Sequence, residues 1–259
     1  MRSSFFSLLS CGFSIALLSA CASGGGYETA RANQANSSAK PVLESERVSP
    51  QLKAALSTAE ANGDTKQVIA ILEEIVKADP NDAIMATRYA RELREEDQLN
   101  KATRILRPYV EVPKPHYEAL TEMAMINLAQ GDYASAKNYA LKSTVINPKN
   151  ARGFLALGTA QDALKDHANA EQSFRQGLKY WKGDPAPILN NLALNLASQG
   201  HLQESLSLLE RAVEISPKRM ELERNRRIIS TLLETSSPMA PSPSAKPAIN
   251  IPDTAKPEA

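Results

Sequence analysis

VINPKNARGFLALGTAQDALKDHANAEQSFRQGLKYWKGDPAPILNNLALNLASQGHLQESLSLLERAVEISPKR, residues 145–219, opens and closes on one device: Ile-Asn-Pro-Lys at 146–149 and Ile-Ser-Pro-Lys at 215–218. Proline lacks an amide hydrogen and stops a helix, so each marks the end of an apolar-periodic segment. Working outward, the same kind of stop appears in KADPND (77–82). Pro80 and Pro148 are 68 residues apart, and Pro148 and Pro217 are 69 apart, which reads as twice 34 with one residue inserted. A fixed period of this size is the mark of a repeat architecture.

A 34-residue period closed by proline resembles the tetratricopeptide repeat, a helix–turn–helix module. That frame gives repeats 49–82, 83–116, 117–150, 151–184 and 186–219, with Pro185 as the insertion. It predicts a tight turn in the middle of each repeat, where Gly63-Asp64, Asp97-Gln98, Gly131-Asp132, Lys165-Asp166 and Gly200-His201 stand. It predicts a small residue early in the second helix, where Ala102, Ala136 and Ala170 stand and Val68 and Ser205 depart. The apolar site of the first helix holds Leu52, Ala86, Leu120, Phe154 and Leu189. The small site beside it holds Ala90, Ala124, Gly158 and Ala193, with Leu56 in the first repeat. MELERNRRIISTLLE (220–234) is amphipathic and reads as a capping helix, its apolar Met220, Leu222, Ile228, Ile229, Leu232 and Leu233 laid on the last repeat. The fold class expected is all-α: a tetratricopeptide-repeat solenoid of about five helix pairs plus a C-terminal cap, curved into a right-handed arch, with disordered termini.

The segments outside the repeats carry a different message. Arg2 precedes an apolar run from Phe5 to Leu18, too short for a bilayer core that needs about 20 helical residues. Leu18-Ser19-Ala20-Cys21 follows and resembles a bacterial lipobox. That resemblance implies a signal peptide at 1–20, cleavage before Cys21 and lipid on its thiol and amine. Two or more acyl chains anchor a protein stably. Ala22, where an aspartate would resemble a retention signal for the inner membrane, implies the outer membrane, with the chain facing the periplasm. Residues 21–46 are small and polar and read as a flexible tether, and 236–259, rich in Pro, Ser and Ala, as a disordered tail. Loss of Cys11 with the signal and acylation of Cys21 leave no thiol for a disulfide, a metal or catalysis. The 30 basic and 29 acidic residues balance, so net charge gives no argument for nucleic acid.

No catalytic constellation is visible. His116, His167 and His201 fall at repeat junctions or turns, away from paired metal-ligand spacing. Phosphate loops, zinc-protease motifs and nucleophile elbows are absent from the sequence. Glu73-Glu74 and Glu95-Glu96 lie on helices that also carry Lys and Arg, as a solvated face does, and Tyr180-Trp181 is expected to pack over a junction. Neither an enzyme nor a cofactor is expected, apart from the covalent lipid on Cys21. Candidate binding residues come instead from the first helices, which line the groove of such solenoids. Arg88, Arg91 and Arg94 share one helix face, Lys53 and Arg152 belong to neighbouring repeats, and Asn190 and Asn191 open the first helix of the fifth. Together they suit an extended or helical partner segment carrying carboxylates. The competing reading pairs Arg91 with Glu95 and Arg88 with Glu92 within one helix.

ILNNLALNLASQGHLQESLSLLERAVEISPKR with ERNRRII (188–229) resembles the end of the TadD lipoprotein family of Tad/Flp (tight adherence) pilus assembly. The resemblance implies a pilotin-like role, helping an outer-membrane secretin or another pilus component assemble. The type IVa pilus pilotin and a periplasmic adaptor that docks peptidoglycan hydrolases or proteases are the alternatives.

Overall fold

The computed structural model describes residues 48–235. The signal segment, Cys21, the tether through 46 and the tail from 236 lie outside the described residues. The described residues form eleven helices and no strand. In chain order these are α1 (Pro50–Ala61), α2 (Thr65–Ala78), α3 (Ala83–Glu95), α4 (Leu99–Val110), α5 (Tyr117–Gln130) and α6 (Tyr133–Ile146). Then follow α7 (Ala151–Ala163), α8 (His167–Tyr180), α9 (Ala186–Ser198), α10 (Leu202–Ile215) and α11 (Met220–Thr235). They stack as five antiparallel pairs closed by α11, each helix touching the next.

Local chemistry sets the ends of these helices. Ser49, Asp64, Asp82, Asp132 and Asn150 each accept a backbone N–H of the first turn with a side-chain oxygen, satisfying a donor the helix itself cannot. Every mid-repeat turn passes through a left-handed residue: Gly63, Asp97, Gly131, Lys165 and Gly200, with φ of 66°, 57°, 78°, 66° and 84°. Glycine meets that demand without a Cβ clash, so Asp97 and Lys165 hold it at a cost.

First helices of successive repeats touch one another, α3 with α5 and α5 with α7, and no comparable contact joins successive second helices among the described residues. The first helices therefore line the inner face and the second helices the outer face. Small residues let the helices approach. Ala90, Ala124 and Ala193 are wholly buried, and the ring of Phe174 lies against Gly158. Ala102, Ala136 and Ala170 are equally buried, and at the corresponding Ser205 the hydroxyl donates to Ala193 O at 2.7 Å.

The apolar core is not uniform along the array. One cluster runs from α1 to α5 around Leu72, Tyr89, Leu93, Leu106 and Leu120. A second runs from α7 to α11 around Phe174, Leu178, Leu189, Leu192 and Leu209, and Trp181 packs on it while its indole N–H donates to Asp184 O. Between them Ala124 and Ala140 of the third repeat pack with Ala156 and Leu157 of the fourth. Polar groups also pack inside the third repeat. Asn150 Nδ2 donates to Thr121 Oγ1 and to Ser143 Oγ, both at 2.7 Å, and Ser143 Oγ donates to Tyr117 O.

The cap differs from its sequence reading. Leu222 and Ile229 of α11 are buried against the last repeat, but Met220 is 76% exposed and Ile228 51%. Residues 220, 224 and 228 are spaced by four, so they form one stripe on the side of α11 turned away from Leu222, Asn225 and Ile229.

Candidate functional site

The inner face is organised by a buried carboxylate. Glu122 projects from the second turn of α5 and is 1% exposed. Arg94 Nε of α3 donates to its Oε1 at 2.6 Å, and Arg91 Nε of α3 to its Oε2 at 3.3 Å. Arg152 Nη2 of α7 reaches Oε2 from the other side, also at 3.3 Å. Three guanidinium groups from the second and fourth repeats thus converge on one carboxylate of the third. Arg94 is the most enclosed, whereas Arg91 and Arg152 keep 35% and 40% of their side chains in water. Burial, then the neighbouring Arg91, pulls the Arg152 guanidinium below its ordinary value, against the attraction of Glu122. Beside this cluster burial, then Glu95, pushes the Glu92 carboxyl upward.

This arrangement corrects the in-helix pairing considered from sequence. Arg91 does not bond Glu95, and Arg88 bonds Glu60 of α1 rather than Glu92. Only Arg94 touches Glu95, through Nη2 at 3.2 Å. The spacing of such contacts is close to one repeat, so each ties a first helix to its neighbour. The series continues along the inner face: Asn195 of α9 donates to Asp162 of α7 at 2.7 Å, and Asn225 of α11 to Asn190 of α9 at 2.8 Å. Asp162 also meets His167 Nδ1 at 2.6 Å, which places that turn histidine in the same network.

Of the other candidates, Lys53 is exposed on α1, where it borders a cavity of about 270 Å³ with Val48, Leu56, Ser57, Ile75 and Met85. It does not join the arginine cluster. Asn190 and Asn191 do not open α9, which begins at Ala186 with Pro187 in its first turn; they sit one turn further in. The Asn190 carboxamide is engaged by the cap helix, and Asn191 is half-buried on the same helix. Cys21 lies outside the described residues.

Glu122 itself is the residue that sequence reasoning missed. Nothing local distinguishes it, but it stands 31 residues after Arg91 and 30 before Arg152, nearly one repeat from each. A search for opposite charges at that separation would have found it. The same rule finds Lys101 Nζ on Glu73 Oε2 (2.8 Å) and Arg175 Nη2 on Glu204 Oε1 (2.8 Å) between second helices. Lys101, then Tyr89 and Lys77, hold the Glu73 carboxyl down at about 2. Among the described residues no group of three His, Cys, Asp or Glu is placed to hold a metal ion, and no helix is long and apolar enough to cross a membrane.

The tetratricopeptide repeat family matches residues 117–150, 151–180 and 186–219. No curated protein matches the sequence. Among solved structures, the chain is similar to a thermophilic TPR protein of Thermus thermophilus (20% identity, TM-score 0.59), covering 73% of this chain and all of that one. It is also similar to a tetratricopeptide repeat protein of Parabacteroides merdae (16%, TM-score 0.54), covering 71% of this chain and 73% of that one. A chain of the APC/C Cut9–Hcn1 hetero-tetramer aligns at 15% and TM-score 0.55, covering 73% of this chain and 36% of the other.

Proposed function

We propose that this chain, a carrier of tetratricopeptide repeats and hence a protein–protein interaction scaffold, works at the outer membrane of a bacterial envelope, anchored by lipid on Cys21. The observation that supports a scaffold most directly is the continuous inner face, where the five first helices and the cap helix are braced in series. A face braced by such contacts spends little ordering entropy when a partner settles on it. Arg91 and Arg152 share one carboxylate with Arg94 and keep solvent-facing N–H groups, so a partner carboxylate finds donors there. Arg94, which holds Glu122 most closely, is a brace in this reading and not a contact.

The finer assignment is a pilotin-like assembly factor of a Tad/Flp pilus, acting on the secretin. It is supported by the lipobox residues Leu18-Ser19-Ala20-Cys21 and the 188–229 stretch together with the repeats. Replacing Cys21 with Ser and following secretin multimers and their membrane fraction tests it. Secretin that localises and multimerises normally in that variant and in a deletion refutes the pilotin role. Capture of a peptidoglycan hydrolase or protease would favour the adaptor instead.

A further inference from the structure

The first repeat holds a cavity that the inner-face function does not use. It measures about 270 Å³ and lies where α1, α2 and the start of α3 meet. Its buried lining is apolar, from Val48, Leu56 and Ile75, with the half-buried Met85 beside them. The rest of its lining carries both signs of charge: Lys53 on α1, Asp79 at the end of α2 and Asp82 at the start of α3. Asp79 Oδ1 accepts the Asn81 N–H, and Asp82 Oδ1 accepts those of Ile84 and Met85, so both carboxylates are held in place. This is also the end of the array where cover is missing. The last repeat is covered by α11 through Leu222 and Ile229, whereas among the described residues no helix precedes α1. End units of repeat arrays need such cover, because each unit has an apolar face that a neighbour must bury.

We infer that the chain's own residues 42–47, Val-Leu-Glu-Ser-Glu-Arg, close this end: Val42 and Leu43 fill the cavity and Arg47 pairs with Asp79 beside it. Covalent proximity comes first. Val48 follows the segment directly and lines the cavity, and Leu43, five residues back, is separated from it by at most about 18 Å of chain. A segment tethered so closely acts at an effective concentration in about the millimolar range, which a second copy or another protein must outcompete. Composition agrees, since Val42 and Leu43 are the only branched aliphatic side chains between Cys21 and Val48. Their transfer out of water into an aliphatic lining is favourable. Charge agrees as well: the segment brings Arg47 to a lining with Asp79 and Asp82, and brings Glu44 and Glu46 to Lys53. Lys53 then serves its own chain, the surface left to a partner begins at α3, and the tether ends near residue 41 instead of 46. None of this depends on lipid at Cys21.

Amide hydrogen exchange of the full mature chain, read by mass spectrometry on peptides covering 42–49 and 27–38, provides the test. The expected result is exchange about tenfold or more slower at 43–47 than at 28–38, after correction for intrinsic rates. Leu43→Asp should bring the two stretches to the same rate. Arg47→Ala and Asp79→Asn, the second keeping an acceptor for the Asn81 N–H, should each remove a similar part of the protection, and together no more than either alone. Equal exchange in the two wild-type stretches overturns the inference, as does protection that survives Leu43→Asp. Protection that rises with protein concentration also overturns it and assigns the cavity to a second copy. Protection that appears only on adding an envelope extract does the same in favour of another protein.

Discussion

Replacing Glu122 with Gln removes the carboxylate that Arg91, Arg94 and Arg152 share, and changes one of its acceptors into a donor facing them. A hydrogen bond to a charged group contributes about 1.5–3 kcal/mol, and breaking a fully buried ion pair costs about 3–5 kcal/mol. Arg91 and Arg152 are more than a third exposed and recover water, so their share is small. Arg94, 17% exposed and 2.6 Å from Glu122, recovers little. The expected loss is therefore about 2–3 kcal/mol, a fall in Tm of about 5–10 °C for a folded part of this size. Urea titration followed by far-UV circular dichroism measures it, with Arg94→Ala and the double variant completing a cycle whose coupling is about 1–2 kcal/mol. Salt should not abolish the difference, because the carboxylate is buried and poorly screened. A loss below about 0.5 kcal/mol, or no coupling to Arg94, would refute the claim that this cluster braces the second, third and fourth repeats.

Lys165→Gly should stabilise the protein by about 0.5–1 kcal/mol in the same titration, because φ at 165 is 66° and a Cβ is strained there. Gly158→Ala should destabilise it by about 1 kcal/mol or more despite alanine's better helix propensity, since the new Cβ would stand 2.7 Å from the buried Phe174 ring. Phe174→Leu in the same background should recover part of the loss. Glu73 has a folded pKa of about 2 against an ordinary 4.5, so its stabilisation is complete above the ordinary value and disappears as pH falls toward about 2. Comparing wild type with Glu73→Gln between about pH 6 and about pH 2 should show their stabilities converging over that window.

The fold class was legible because its signals are geometric necessities repeated five times. The left-handed turn falls at 63, 97, 131, 165 and 200, and glycine at three of these positions betrays the period even where Asp97 and Lys165 obscure it. Proline ends the second helices in the same rhythm. The inner face was harder to read. Arg88, Arg91 and Arg94 are visible as a row, but their partners are chosen by stacking. Glu60 and Glu122 lie on neighbouring first helices, and an argument confined to one helix offers Glu92 and Glu95 in their place. The cap misled for a related reason. Apolar residues at 220 and 228 fit an amphipathic pattern loosely, and only docking on the last repeat decides that Leu222 and Ile229 turn inward.

The uneven core has a mechanical consequence. Large aliphatic and aromatic side chains fill two clusters, one spanning α1–α5 and one spanning α7–α11, while α6 between them packs through alanines and hydroxyls. Load applied at the two ends must cross α6, whose buried side chains are the short Ala136, Ala140, Ser143 and Thr144. Glu122, on the neighbouring α5, draws arginines from both sides. By joining guanidinium groups of α3 and α7 to one carboxylate of α5, it sets the spacing of the inner face across three repeats.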